Sequence, residues 1–131
     1  NLRCGEPLET IADAAEPDWA PLTYTYAGFW EVQPAWLEEH RGYVPIVAVR
    51  DPDEFDGILG HVEGARLVPL GELKSIVGSL DKSRPIVTVC RSGARSAQAA
   101  VMLEKEGFVR VANLAGGMLR WRAIRLPVEG G

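Results

Sequence analysis

Ile86-Val87-Thr88-Val89-Cys90-Arg91-Ser92-Gly93-Ala94-Arg95-Ser96 joins a β-branched apolar run to a cysteine, and then to a short loop carrying two arginines and a glycine. The run alternates little, as a strand buried on both faces of a parallel sheet should. Ala94 to Glu106 reads as a helix. Cys90 is therefore expected at the C-terminal end of a strand, with the following amides converging on a helix N-terminus. This is the layout of an anion-binding thiolate site.

A free thiol has a pKa of about 8.5, so only roughly 3% is thiolate at pH 7. Loop amides, a helix N-terminus and the guanidinium groups of Arg91 and Arg95 all favour the anion. A drop of about two units would raise the thiolate fraction roughly 25-fold. Nucleophilicity falls with pKa along a Brønsted slope of about 0.4 to 0.5, which leaves a net gain of about threefold. The stronger reason for such a loop is that the same donors hold an anionic substrate, its leaving group and an anionic covalent intermediate.

Working outward, strands are expected at Phe29 to Val32, Val44 to Val49, Ala65 to Val68, Ile86 to Val89 and Val109 to Ala112. Helices are expected from Pro34 to about His40, over Leu70 to Val77, from Ala94 to near Gly107, and over Met118 to Ile124. Asp51-Pro52-Asp53-Glu54 reads as a further helix start, with Asp51 as cap and Glu54 as its capping-box partner. Alternating strands and helices imply an α/β fold, a sheet of about five parallel strands flanked by helices on both faces. Ligands then bind beyond the strands' C-terminal ends. Residues 1–28, with Pro7, Pro17 and Pro21, read as an irregular leader or linker, with one short helix around Leu8 to Ala15. Residues 29–131 read as the folded domain.

The chain has 131 residues, 47% hydrophobic and 24% charged, which suits one domain with its own core. A net charge of −4 without a basic run argues against nucleic acid as a partner. No apolar stretch approaches membrane-spanning length, so no membrane partner is expected and the cytoplasm is the default location. Cys4 and Cys90 do not form a disulfide framework. His40 and His61 lack ligand-like spacing with either cysteine, so neither a metal nor a cofactor is expected. His61 reads as a structural hydrogen-bonding residue, and Trp30, Trp36 and Trp121 as packing residues.

Five segments together carry a family resemblance. They are Val49-Arg50-Asp51-Pro52-Asp53-Glu54-Phe55, Gly60-His61-Val62-Glu63-Gly64-Ala65, the Cys90 loop, Gly107-Phe108, and Leu114-Ala115-Gly116-Gly117-Met118-Leu119-Arg120-Trp121 before Leu126-Pro127-Val128. In this order they resemble the single rhodanese domain, a sulfurtransferase module. The resemblance implies a persulfide on Cys90 as catalytic residue, with Arg91, Ser92, Gly93, Ala94, Arg95 and Ser96 binding substrate. It implies ping-pong transfer of sulfane sulfur from a small anionic donor (thiosulfate, polysulfide or glutathione persulfide) to a thiol or cyanide acceptor. Cysteine-based phosphatases and arsenate reductases place one residue more between cysteine and arginine, whereas only four intervene between Cys90 and Arg95. The form Cys-Arg-x-Gly-x-Arg resembles the thiosulfate-using type, and two arginines suit a dianion.

Two positions depart from the family pattern. Ala48 stands where an aspartate usually precedes Val49-Arg50, leaving Arg50 without that carboxylate, and Glu63 stands where proline is common. A second reading is a sulfur-carrier or protein-binding module of a larger sulfide-oxidation protein. Asn1-Leu2-Arg3-Cys4-Gly5 resembles the closing residues of persulfide dioxygenases, some of which are fused to rhodanese domains. A fused or associated persulfide dioxygenase is thus a candidate partner.

Overall fold

Ile86–Val89 is a strand buried along its whole length, and it sits inside a six-stranded sheet. The computed structural model describes residues 19–20, 22–25, 28–40, 42, 44–50, 54, 57 and 59–129. In chain order its strands are β1 (Leu22–Tyr24), β2 (Trp30–Val32), β3 (Ile46–Ala48), β4 (Arg66–Leu67), β5 (Ile86–Val89) and β6 (Val111–Leu114). The described helices are α1 (Pro34–His40), α2 (Leu73–Ile76), α3 (Ala94–Lys105) and α4 (Gly117–Ala123). Strand order is β1-β2-β6-β5-β3-β4; only the β1–β2 pairing is antiparallel. Among the described residues no helix is long and apolar enough to cross a membrane.

Because strand side chains alternate, β5 feeds two cores. Ile86 and Cys90 pack with Val47, Val49 and Val111 under α2 and α3. Val87 and Val89 pack on the other face with Ile46, Ala112, Leu114, Met118 and Trp121. On α3, Ser96, Ala99, Ala100 and Leu103 are buried, the spacing of one helical face against a sheet.

The expected α/β sheet is present, with differences at its margins. Leu22–Tyr24, expected to be irregular, adds an antiparallel strand: Leu22 pairs Val32, and the rings of Tyr24 and Trp30 meet edge-on at 4.8 Å. The last strand starts at Val111, two residues later than expected. Gly107 (φ +108°) turns the chain after α3, Val109 is 76% exposed, and pairing with β5 begins where Ile86 N–H donates to Arg110 C=O. The segment after β4 is one α-turn between two 3₁₀ turns, Leu70–Glu72 and Val77–Ser79, rather than one helix. Gly71 and Gly78 weaken any longer helix there. The expected helix at Leu8 to Ala15, Asp51 as a cap, and Cys4 lie outside the described residues.

α4 fixes the loop after β5. Its Met118 and Leu119 amides donate to the Cys90 and Arg91 carbonyls, both at 2.9 Å. A Cβ on Gly117 would stand 2.5 Å from Cys90 O and 2.6 Å from Arg91 O, and Gly117 has φ +59°. Gly117 is therefore required both for close approach and for its backbone conformation. His61 and Glu129 exchange both backbone hydrogen bonds at 2.8 Å, and their side chains approach to 3.5 Å, so His61 ties down the chain after α4.

Leu103→Ala should destabilise the protein by about 2–5 kcal/mol in urea denaturation, since Leu103 is fully buried in the α3 core. Gly117→Ala should cost at least about 1–2 kcal/mol from its left-handed backbone alone. The added clash with two carbonyls should also shift the amide resonances of residues 90–93 in a heteronuclear NMR spectrum.

Candidate active site

Parallel strands leave their C-terminal ends on one edge, and Cys90 follows β5 there, with Arg50 just beyond β3. The Cys90 residue is 1% exposed, and donors of its own loop and of α3 meet its sulfur. Gly93 N–H donates to Cys90 Sγ at 3.1 Å, and Ser96 Oγ–H reaches it at 3.3 Å. Gly93 adopts φ +107° at the N-cap of α3 and supplies no side-chain cap. The sulfur occupies the place of that cap.

Burial pushes the Cys90 pKa up. The Ser96 hydroxyl and the backbone N–H groups of Ser96, Gly93 and Ser92 pull it down, and together they prevail, leaving it below the ordinary thiol value. The expected depression is present, and its main cause is hydrogen bonding within the loop rather than the two arginine side chains.

The loop residues separate into distinct positions. Arg91 and Ser92 are exposed, and the Arg91 carbonyl is held by α4. Ala94 opens α3 on its exposed side. Arg95 forms a two-pronged ion pair with Glu54, at 2.8 and 2.9 Å, linking α3 to the segment after β3. Ser96 is fully buried in the first turn of α3; its hydroxyl faces Sγ and Asn113 rather than capping the helix.

Several site residues were not singled out from sequence. Thr88 and Asn113 are buried neighbours across β5 and β6, and Glu31 is Asn113's neighbour on β2. Thr88 Oγ1 donates to the Ser96 carbonyl at 2.8 Å, and Asn113 Oδ1 accepts from Ser96 Oγ. A lone polar residue in each of two apolar strands, Ile-Val-Thr-Val and Val-Ala-Asn-Leu, was the available signal. Arg50 is 2% exposed, and its Nη1 donates to the Gly60 carbonyl, while its Nε has no hydrogen-bond partner among the described residues. Burial lowers the Arg50 pKa, opposed by the nearby charges of Glu54 and Cys90. Glu54 thus supplies a carboxylate near Arg50, where Ala48 has none to offer.

Comparisons with known proteins agree with this geometry. Residues 33–124 match the family described as Rhodanese-like domain. The chain is 39% identical over 87 residues to the uncharacterized protein YqhL of Bacillus subtilis, covering 64% of this chain and 68% of that protein. It is 33% identical over 96 residues to the thiosulfate sulfurtransferase GlpE of Ectopseudomonas mendocina, covering 72% and 86% respectively. It spans only 22% of the probable adenylyltransferase/sulfurtransferase MoeZ of Mycobacterium tuberculosis, at 36% identity over 66% of this chain. The Alr3790 protein of Anabaena superposes with a TM-score of 0.68 at 31% identity, over 76% of this chain and 91% of that one. With a matched segment running from the residue before α1 to the residue after α4, the chain belongs to the rhodanese-like domain family.

Proposed function

We propose that the protein is a sulfurtransferase that carries sulfane sulfur as a persulfide on Cys90. The observation that carries this reading is a buried thiol receiving a backbone amide and a hydroxyl at a helix N-terminus, with its pKa lowered by those donors. Such a group is more acidic than an ordinary thiol and fixed in direction, which suits a nucleophile for small electrophilic sulfur.

With thiosulfate as donor, the Cys90 thiolate attacks the outer sulfur and forms an S–S bond. The donor's S–S bond breaks, and sulfite leaves with the electron pair. The negative charge then lies on the outer sulfur of Cys90–S–S⁻. An acceptor thiolate or cyanide attacks that sulfur, and the electron pair returns to Sγ as thiolate. The loop amides stabilise both anionic forms at no reorganisation cost. The unpartnered Arg50 Nε and the Arg95 guanidinium supply positive charge for an anionic donor. An incoming dianion competes with Glu54 for Arg95. The name of the Ectopseudomonas relative supports thiosulfate as the donor to assay first.

Mixing the reduced protein with thiosulfate should add about 32 Da, one sulfur atom, to Cys90. Cys90→Ser should show no adduct there; an unmodified wild type after thiosulfate, polysulfide and glutathione persulfide alike would exclude sulfur transfer. Arg95→Ala should lower kcat/KM for the donor about tenfold or more while costing about 1 kcal/mol of stability, the range of a partly exposed ion pair. Equal losses in urea midpoint and turnover would assign Arg95 to structure alone.

A further inference from the structure

The Ser96 hydroxyl has one hydrogen and two acceptors within reach, Cys90 Sγ and Asn113 Oδ1. The amide of Asn113 is oriented independently: its Nδ2 faces the Gly93 carbonyl at 3.4 Å and Glu31 Oε2 at 3.5 Å. Turning it over would set Oδ1 against two oxygens. Asn113 therefore presents an acceptor to Ser96, not a donor. Thr88 pins the Ser96 carbonyl from below. Ser96 is 0% and Asn113 1% exposed, so solvent does not supply a second proton donor at this point. Sγ keeps the Gly93 amide when Ser96 turns to Asn113, but the single hydroxyl hydrogen cannot serve both acceptors at once, so the two compete for it.

We infer that Asn113 is a positioning residue for Cys90: it accepts the Ser96 hydroxyl hydrogen bond whenever Sγ is uncharged and gives that bond up to Sγ when the thiolate forms. A charged sulfur is the stronger acceptor and wins the contest. A thiol, or an Sγ already bonded to a second sulfur, is weaker, and the amide oxygen wins. The cycle half of this inference rests on the persulfide reading above. When Sγ attacks a donor its electron pair enters the new S–S bond, the charge moves to the outer sulfur, and the hydroxyl swings to Asn113. When an acceptor removes the outer sulfur, the pair returns to Sγ and the hydroxyl swings back. The proton stays on Ser96 throughout.

Other charges stand around the loop. Arg91 comes from the loop, Arg95 from α3 with Glu54 against it, and Arg50 from beyond β3. Glu31 on β2 stands behind Asn113, and Arg120 on α4 lies over Gly116. A double-mutant cycle cancels every effect of these charges that does not pass through the Ser96 hydroxyl.

The test is a double-mutant cycle read by the Cys90 ¹³Cβ shift as a function of pH. Ser96→Ala should raise the Cys90 midpoint. Asn113→Leu, which removes the rival acceptor, should lower it by about one unit, a tenfold gain in thiolate at pH values below both midpoints. In the Ser96→Ala background Asn113→Leu should leave the midpoint unmoved. An equal shift with and without the hydroxyl, or no shift in either background, overturns the inference. Should Asn113→Leu fail to fold, the wild-type Asn113 side-chain ¹³Cγ shift decides: it should titrate at the Cys90 midpoint, and a flat profile there overturns the inference. None of these readouts needs a sulfur donor. A preserved coupling without a persulfide adduct would therefore sink the sulfur-transfer reading alone.

Discussion

The first turn of α3 begins at a glycine with no side chain to cap it, and the Cys90 sulfur stands in the cap's place. Helix N-termini leave backbone N–H groups unsatisfied and carry partial positive charge. Here those donors are directed at a sulfur, so folding the helix and favouring the thiolate are the same event. The surroundings serve that placement. β5 brings the sulfur to the sheet edge, α4 grips the Cys90 and Arg91 carbonyls, and Gly117 removes the atom that would prevent the grip.

Charge at the site is local in a chain that is acidic overall. Arg95 is matched by Glu54, and Arg50 is buried within reach of the same carboxylate. The backbone amides are fixed dipoles that no change of rotamer can withdraw, whereas an arginine side chain can re-pair by changing rotamer. Stabilising the sulfur falls to the amides, and under the proposed function recruiting an anion would fall to the arginines.

The buried strands were legible because Ile86–Val89 is β-branched and, Thr88 apart, apolar on both faces, a pattern that suits a covered parallel sheet. The Cys90 loop was legible because cysteine, glycine and arginine stand close together in sequence. β1 was not, since three residues between Pro21 and Gly28 carry no readable period and owe their conformation to Val32 and Trp30 across the ladder. The partner of Arg95 lies 41 residues away, and that of Ser96 17 residues away. Such pairings follow from strand order, which composition and spacing do not encode. Asn113 and Thr88 were visible only as polar residues in apolar strands; their register made them neighbours.

The depth of Cys90 bears on where a persulfide there would break. Sγ belongs to a residue 1% exposed, and a second sulfur would extend only about 2 Å farther. A nucleophile meeting a persulfide can strike either sulfur. Attack on the inner one expels hydrosulfide and leaves the protein in a mixed disulfide, whereas attack on the outer one passes the sulfur on. With the inner atom belonging to so buried a residue, steric access would favour attack on the outer sulfur of such a persulfide. Regioselectivity would then follow from the burial itself, with no residue dedicated to it.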